Sequence, residues 1–151
     1  SEDTQMLILK SKLLRHMVLA DQAILEIGSK PKYISDPQLK AKLILELARC
    51  YIAQQDYAFA RDQLSEIRSL AQSGPLMIQI SLELANTTRN LDQPDYTIEI
   101  CNQILNANPD NKTKTKTLKI MAKAYEKKKN YDKAASTLLG NWNKLNTKAI
   151  N

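Results

Sequence analysis

The chain of 151 residues is poor in glycine, aromatic residues, cysteine and histidine. Only three glycines and little alternation of β-branched with polar residues are not typical of a β-sheet protein with many tight turns. Its one phenylalanine and one tryptophan leave the core to be built from Leu, Ile, Ala, Met and Tyr. Ala, Leu, Lys, Glu and Gln are abundant and favour helix. We therefore expect an all-α chain, long enough for one domain with its own core.

Long apolar runs are also missing. No apolar run approaches the roughly 20 residues that a membrane-spanning helix needs. The stretch 6–9 is interrupted by Lys10 and Lys12 and is too short for the apolar region of a signal peptide. Cys50 and Cys101 lie far apart at helical positions, which is typical of buried free thiols in a reducing compartment. These features predict a cytoplasmic or nuclear protein without a membrane span.

Residues that carry catalysis are scarce. His16 is the only histidine, and its apolar neighbours are more typical of a packing or surface residue than of a catalytic base. One histidine and two distant cysteines do not make a zinc site. No glycine-rich phosphate loop or nucleophile motif occurs in the sequence. We predict no enzymatic activity, no metal and no cofactor.

The net charge of +6, with a pI near 9.3, is compatible with an acidic protein partner, nucleic acid or a membrane surface. A nucleic-acid-associated basic helical domain is one alternative, because basic residues would contact phosphates. Lysines outnumber arginines, however, and the known nucleic-acid-binding motifs are missing. We therefore expect a protein partner, and nucleic acid is the weaker hypothesis.

The helical pattern is interrupted at regular places. Residues 3–28 have apolar side chains at spacings of three and four and end at Gly28, which indicates a helical segment. No turn residue breaks the segment near 16–21, so one long helix and a helical hairpin both remain open. The remaining helices are expected at 37–54, 57–72, 76–90, 95–107, 113–128 and 131–145.

A pattern of small and large residues recurs every 37 residues along these helices. A small side chain lets two antiparallel helices approach closely, and a large residue three positions on fills the space beside it. One hairpin cannot bury its apolar faces alone, so neighbouring hairpins stack. The corresponding positions are Ala48, Ala85 and Ala122; Tyr51, Thr88 and Tyr125; and Ala60, Thr97 and Ala134.

The pattern divides a single domain, 1–151, into the N-terminal segment 3–28 and the repeats 37–73, 74–110 and 111–145. In the last helix we expect Ala134, Ala135 and Leu138 to face inward. Trp142 is expected to seal the final hairpin.

The sequence Leu47-Ala48-x-x-Tyr51, followed by Ala60 and Leu64, resembles the tetratricopeptide repeat family, whose unit is about 34 residues long. Residues 121–138 follow the pattern again, and the middle copy departs from it, with Pro94 where its neighbours have tyrosine. The resemblance covers 37–142 well and 3–28 poorly. It implies a right-handed superhelical stack of antiparallel helix hairpins, an α-solenoid.

The resemblance also implies that the first helix of each hairpin lines a concave groove that takes a partner peptide or helix. The groove positions are mostly basic or amide side chains, so an acidic peptide or helix is the expected partner. Glu83 lies near them and would repel a carboxylate, and an ordinary solvated lysine face is the alternative interpretation. The groove residues carried over are Lys42, Leu45, Arg49, Gln79, Asn86, Arg89, Asn90, Lys116, Lys119, Lys123 and Lys127.

A further alternative is that the chain, which begins at Ser1, is a segment of a larger helical solenoid in a multiprotein complex. Neighbouring repeats would then cover its groove. Apolar surface at both ends of the stack would favour this interpretation.

Overall fold

All regular structure is helical in residues 1–71 and 73–150, the part of the chain that the computed structural model describes; for 141–150 this covers the backbone alone. The expected all-α fold is thereby confirmed. Successive helices pack against one another along the chain. The elements are α1 (Glu2–His16), α2 (Ala20–Ile27), a short 3₁₀ helix (Lys30–Tyr33), α3 (Pro37–Ala53), α4 (Tyr57–Arg68), α5 (Pro75–Asn90), α6 (Pro94–Asn106), α7 (Asn111–Lys127) and α8 (Tyr131–Ile150).

The N-terminal segment is a hairpin of two helices, which decides between the two alternatives left open by the sequence. The chain reverses at Val18, which has a φ of 61° although it is neither glycine nor asparagine. The backbone N–H of Leu19 donates to the carbonyl oxygen of Leu14 at 2.8 Å and closes the turn. A left-handed residue thus ends α1 where no turn-forming residue marks the sequence.

The same turn closes every hairpin. Residues 37 positions apart adopt the left-handed conformation, and the next N–H donates to a carbonyl five residues back, as in a Schellman motif. The later left-handed residues are Gln55, Asp92 and Lys129, with φ of 63°, 57° and 59°. The closing bonds run from Asp56 N to Tyr51 O (2.9 Å), Gln93 N to Thr88 O (3.0 Å) and Asn130 N to Tyr125 O (2.9 Å).

Helix starts follow the expected proline and aspartate signals. The Asp36 carboxylate accepts hydrogen bonds from the N–H groups of Gln38 (2.9 Å) and Leu39 (3.2 Å), ahead of Pro37 at the first helical position. Most helix ends lie within two residues of their expected positions. Two boundaries are wrong by more: α4 ends at Arg68 instead of near residue 72, and α8 ends at Ile150 instead of near residue 145.

The small residues of the repeat are buried between packed helices. Ser11, Ala48 and Ala85 are completely buried, and Ala122 is nearly so. The main core is continuous from Ala41 of α3 to Ile120 of α7, and the N-terminal hairpin packs on α3 through two separate apolar clusters. Close packing at small side chains therefore holds in the N-terminal hairpin as well as in the three repeats.

The middle hairpin compensates for its departure from the pattern with a buried polar pair. The hydroxyl oxygens of Thr88 and Thr97 are 2.8 Å apart, one donating to the other, at positions occupied elsewhere by tyrosine and alanine. Both side chains are completely buried, and backbone carbonyl oxygens of Ala85 and Gln93 lie within hydrogen-bonding distance. The hydroxyls are therefore satisfied inside the core.

The inward prediction for α8 is wrong at two of its three positions. Leu138 is 46% exposed and Ala135 is exposed, while Ala134 is half-buried. The corresponding Leu64 and Cys101 are completely buried, since a later hairpin packs over them. Within the described chain no helix follows α8 to cover Leu138. The prediction for Trp142 falls outside the side chains that the structure describes.

Candidate partner-binding cleft

The first helices of three successive hairpins, α3, α5 and α7, form one face of the molecule, since α5 contacts both of the others. A cleft of about 570 Å³, here called the basic cleft, opens on this face. A second cleft of about 350 Å³ adjoins it and shares Arg89 and Lys123 with it. The basic cleft is lined by Arg49, Gln79, Leu82, Glu83, Asn86, Arg89, Lys112, Thr113, Lys116, Lys119, Ile120 and Lys123.

The structure brings together most of the residues predicted for the groove. Asn90 and Lys127 line the second cleft, and Lys42 is exposed but lines neither of the two. Leu45 is only 3% exposed and belongs to the main core, so it has no surface to offer a partner. The seven predicted residues in the basic cleft are Arg49, Gln79, Asn86, Arg89, Lys116, Lys119 and Lys123.

Glu83 is the one carboxylate among the lining residues of the basic cleft, and its charge is compensated within the protein. The Arg49 Nε donates to Glu83 Oε1 at 2.9 Å, across the junction between α3 and α5. The expected repulsion of an acidic ligand by Glu83 is therefore weakened, because a cation lies directly beside it.

Arg49 is held by a second acid that the sequence did not reveal as part of the site. Glu46 is only 2% exposed, and its carboxylate accepts from Arg15 Nε at 2.6 Å and lies 3.7 Å from Arg49 Nη1. A buried carboxylate requires such partners, because desolvation of an unpaired charge is costly. Arg49 thus links α3 to α5 and is less available to a ligand than the sequence suggested. The sequence offers one indication of this role, because Glu46 is the lone acid inside the apolar run 43–48.

The lysines of α7 are the cations most available to a ligand. Lys116, Lys119 and Lys123 are exposed along the rim of the basic cleft. Among the side chains that the structure describes, no carboxylate forms an ion pair with Lys119 or Lys123. Their charges therefore act outward, toward whatever occupies the cleft.

The start of α7 adds lining residues that were not predicted. The helix begins at Asn111, two residues earlier than expected, and places Lys112 and Thr113 at the edge of the basic cleft. The Asp110 carboxylate caps the helix by accepting from the Thr113 N–H at 2.7 Å. This hydrogen bond, assisted by Lys112 and Lys116, holds the pKa of Asp110 below its ordinary value.

Arg89 lies at the point where the two clefts meet. Its Nε is shielded from solvent and has no hydrogen-bond partner, although the guanidinium borders both clefts. A buried donor without an acceptor is uncommon in native proteins. Arg89 as a residue borders both clefts, which makes it a candidate donor of charge-assisted hydrogen bonds to a ligand carboxylate there.

No group of three or more His, Cys, Asp or Glu side chains in the described ranges is arranged to hold a metal ion. Cys50 and Cys101 are free and buried away from both clefts. Burial raises the pKa of Cys50 to about 11, with a contribution from Glu46, and that of Cys101 to about 12. None of the described helices is both long enough and apolar enough to cross a membrane.

Comparison of the chain with protein-family models, curated proteins and solved structures gives no match. The geometry and charge of the basic cleft therefore carry the functional inference.

Proposed function

We propose that the chain is a non-catalytic protein-interaction scaffold whose basic cleft binds an acidic peptide or helix of a partner protein. The observation that carries this proposal is the imbalance of charge in the cleft. Six cationic residues line it against the single carboxylate of Glu83, which Arg49 already pairs. Such a surface attracts acidic ligands at long range and suppresses binding of basic ones.

The other lining residues suit a peptide better than a free ion. Gln79 and Asn86 offer amide donors and acceptors, while Leu82 and Ile120 supply apolar contact at the same cleft. A helix or extended peptide with acidic and apolar residues would use both kinds of contact. Nucleic acid is the less favoured ligand, because no aromatic side chain lines the basic cleft for base stacking.

For the architecture, we propose a right-handed stack of hairpins similar to tetratricopeptide repeats. The 37-residue recurrence of the left-handed turn and of the buried small residue supports it. Identical closure of successive hairpins repeats one geometry along the chain, which is how solenoids arise. The buried free thiols support a reducing compartment, either the cytoplasm or the nucleus.

The proposed function is tested by reversing the charge of the two available lysines, Lys119→Glu plus Lys123→Glu. The probe is a fluorescent amphipathic peptide of Glu, Leu and Ala, with a Lys-for-Glu peptide and single-stranded oligo-dT for comparison. Fluorescence anisotropy should show the acidic peptide binding to the wild type, with its affinity reduced at least about tenfold in the variant.

The matched control is Lys32→Glu plus Lys129→Glu, which makes the same charge change at exposed residues outside both clefts. It should leave affinity within about threefold of the wild type, because the net charge alone acts weakly at a distance in physiological salt. Equal loss in both variants, or no loss in either, would sink the cleft proposal. Tighter, steeply salt-dependent binding of oligo-dT would favour the nucleic-acid alternative.

A further inference from the structure

The outer face of α1 exposes a stripe of apolar side chains. Met6, Leu9, Leu13 and Met17 follow one another at spacings of three and four and are all exposed. Leu7, Ile8 and Leu14, which face the other way, pack into the core. The helix is therefore apolar on two sides, and only one of them is covered.

The exposed side of α1 corresponds to a buried side in the later hairpins. Met6 is 61% exposed, whereas the residues 37, 74 and 111 positions later are completely buried. Leu13 shows the same contrast, since its counterparts Cys50, Thr87 and Ala124 are all buried. The counterparts of Met6 are Leu43, Ile80 and Thr117.

The last helix shows the complementary contrast at the opposite end. Leu138 of α8 is exposed, and the corresponding residues of α2, α4 and α6, which are Ile27, Leu64 and Cys101, are completely buried. Those three second helices pack against the first helix of the following hairpin: α2 on α3, α4 on α5 and α6 on α7. The outer face of α8 thus corresponds to the faces that α2, α4 and α6 pack on a following first helix, but no such helix covers it within the described chain.

We propose that the chain associates head to tail, with α8 of one copy packing on α1 of the next. Both halves of the junction are present on one chain, and the same pair of faces already meets at three places inside it. Stacked repeats generally end in polar capping faces, whereas the described part of these two ends exposes Met6, Leu13 and Leu138. The contact is heterologous, so it builds an open chain of copies and does not close as a symmetric dimer. This proposal is independent of the basic cleft.

A hairpin from another source would bury the same residues, so the test must distinguish it from a second copy. The head-blocked variant is Met6→Glu plus Leu13→Glu, and the tail-blocked variant is Leu138→Glu. Each leaves one junction face intact. Tyr131→Glu, also exposed on α8, serves as a second tail variant if Leu138→Glu lowers the melting temperature.

The full chain and its variants are compared by light scattering and sedimentation over a wide concentration range. The wild-type mass should rise continuously with concentration, while each blocked variant alone remains monomeric. An equimolar mixture of the two should form a dimer and stop there, because each supplies the face that the other lacks. The substitutions should weaken association at least about tenfold, as expected for a charge in the centre of an apolar interface.

Leu25→Glu is the matched control, because Leu25 is highly exposed at a position occupied by Asp62, Glu99 and Ser136 in the other hairpins. It should associate like the wild type. A wild type that stays monomeric throughout would overturn the proposal and leave a hairpin of another or longer chain as the occupant. A blocked variant that still dimerises alone would overturn it in favour of a symmetric contact.

Discussion

Glu46 shows how one buried charge ties three helices together. Its carboxylate lies between Arg15 of α1 and Arg49 of its own helix α3, and Arg49 continues to Glu83 of α5. The chain of alternating charges satisfies a group that has almost no contact with water. Arg49 therefore has a structural role, and the positive charge that remains available at the cleft lies mainly on α7.

Removal of Arg15 should destabilise the fold. In Arg15→Ala, Glu46 would retain only the longer contact with Arg49, so we expect a loss of about 2–3 kcal/mol in the free energy of unfolding. Urea denaturation measures this loss. Lys10→Ala, which removes the exposed pair with Glu26 at 3.0 Å, should have much less effect because solvent screens that pair. Equal losses in the two variants would contradict the role assigned to Glu46.

The two thiols should be unreactive in the folded protein. Burial raises the pKa of Cys50 to about 11 and of Cys101 to about 12, so thiolate is scarce near pH 8 and the sulfurs are shielded. A thiol reagent should modify neither cysteine until denaturant is added, whereas an added cysteine at exposed Ser136 should react at once. Rapid native modification of Cys50 or Cys101 would contradict the burial.

The raised pKa values of the two thiols also determine how the stability of the fold changes with pH. Unfolded thiols ionise near their ordinary value of 9.0, while the folded thiols hold their protons to higher pH. The unfolded state therefore loses protons first, and the contribution of these groups to stability falls as pH rises above about 9.

At the scale of the element, the hairpin turns explain how a chain with three glycines can close four hairpins. Each reversal uses one left-handed residue, and none of the four is glycine: Val18, Gln55, Asp92 and Lys129. The left-handed conformation costs a residue with a Cβ about 1–2 kcal/mol. Of the four residues, Val18 is the least suited to the left-handed conformation, since branching at its Cβ adds steric conflict with the backbone.

Val18→Gly should stabilise the N-terminal hairpin. The Val18 side chain is 89% exposed, so its removal sacrifices little packing. Relief of the left-handed strain, less the entropy that glycine gains on unfolding, should leave a net gain of about 0.5–1 kcal/mol. Thermal denaturation tests this, with Val18→Ala as the control that keeps the Cβ. A glycine variant less stable than the alanine variant would argue against a strained turn.

At the scale of the whole molecule, the cost of a substitution should depend on how far its hairpin lies from an uncovered end. In a stack, each hairpin draws stability from its own packing and from the neighbour on each side. Leu64 and Leu138 occupy the same repeat position, but only Leu64 has a covering hairpin after it. The pair therefore isolates the effect of the missing neighbour.

Leu64→Ala should cost about 3 kcal/mol in the free energy of unfolding, because it opens a cavity in a closed core. Leu138→Ala should cost about 1 kcal/mol or less, since water already reaches half of that side chain. Chemical denaturation of dilute samples measures both without self-association. Equal losses would mean that α8 is covered in solution even in the isolated chain.

The exposure expected for the groove residues agrees with the structure where the helix face alone decides it. Lys119 and Lys123 lie on the outward face of an amphipathic α7, so spacing along the helix was enough to place them. The expectation failed at Leu45, which follows Lys42 and precedes Arg49 on the same helix but packs into the core. Burial at that position depends on which neighbouring helices contact α3, and spacing along one helix does not contain that information.

The sequence by itself determined the helices, the recurring hairpin and its buried small positions. These follow from local helix propensity and from the 37-residue recurrence of small residues, and both can be recognised from residue types and their spacing along the chain. Only the tertiary structure decided that Val18 closes a first hairpin, that Glu46 pairs with Arg15, and that Leu138 is left uncovered. Exposure and ion pairing belong to contacts between residues distant in the chain, so they exist only once the helices have packed.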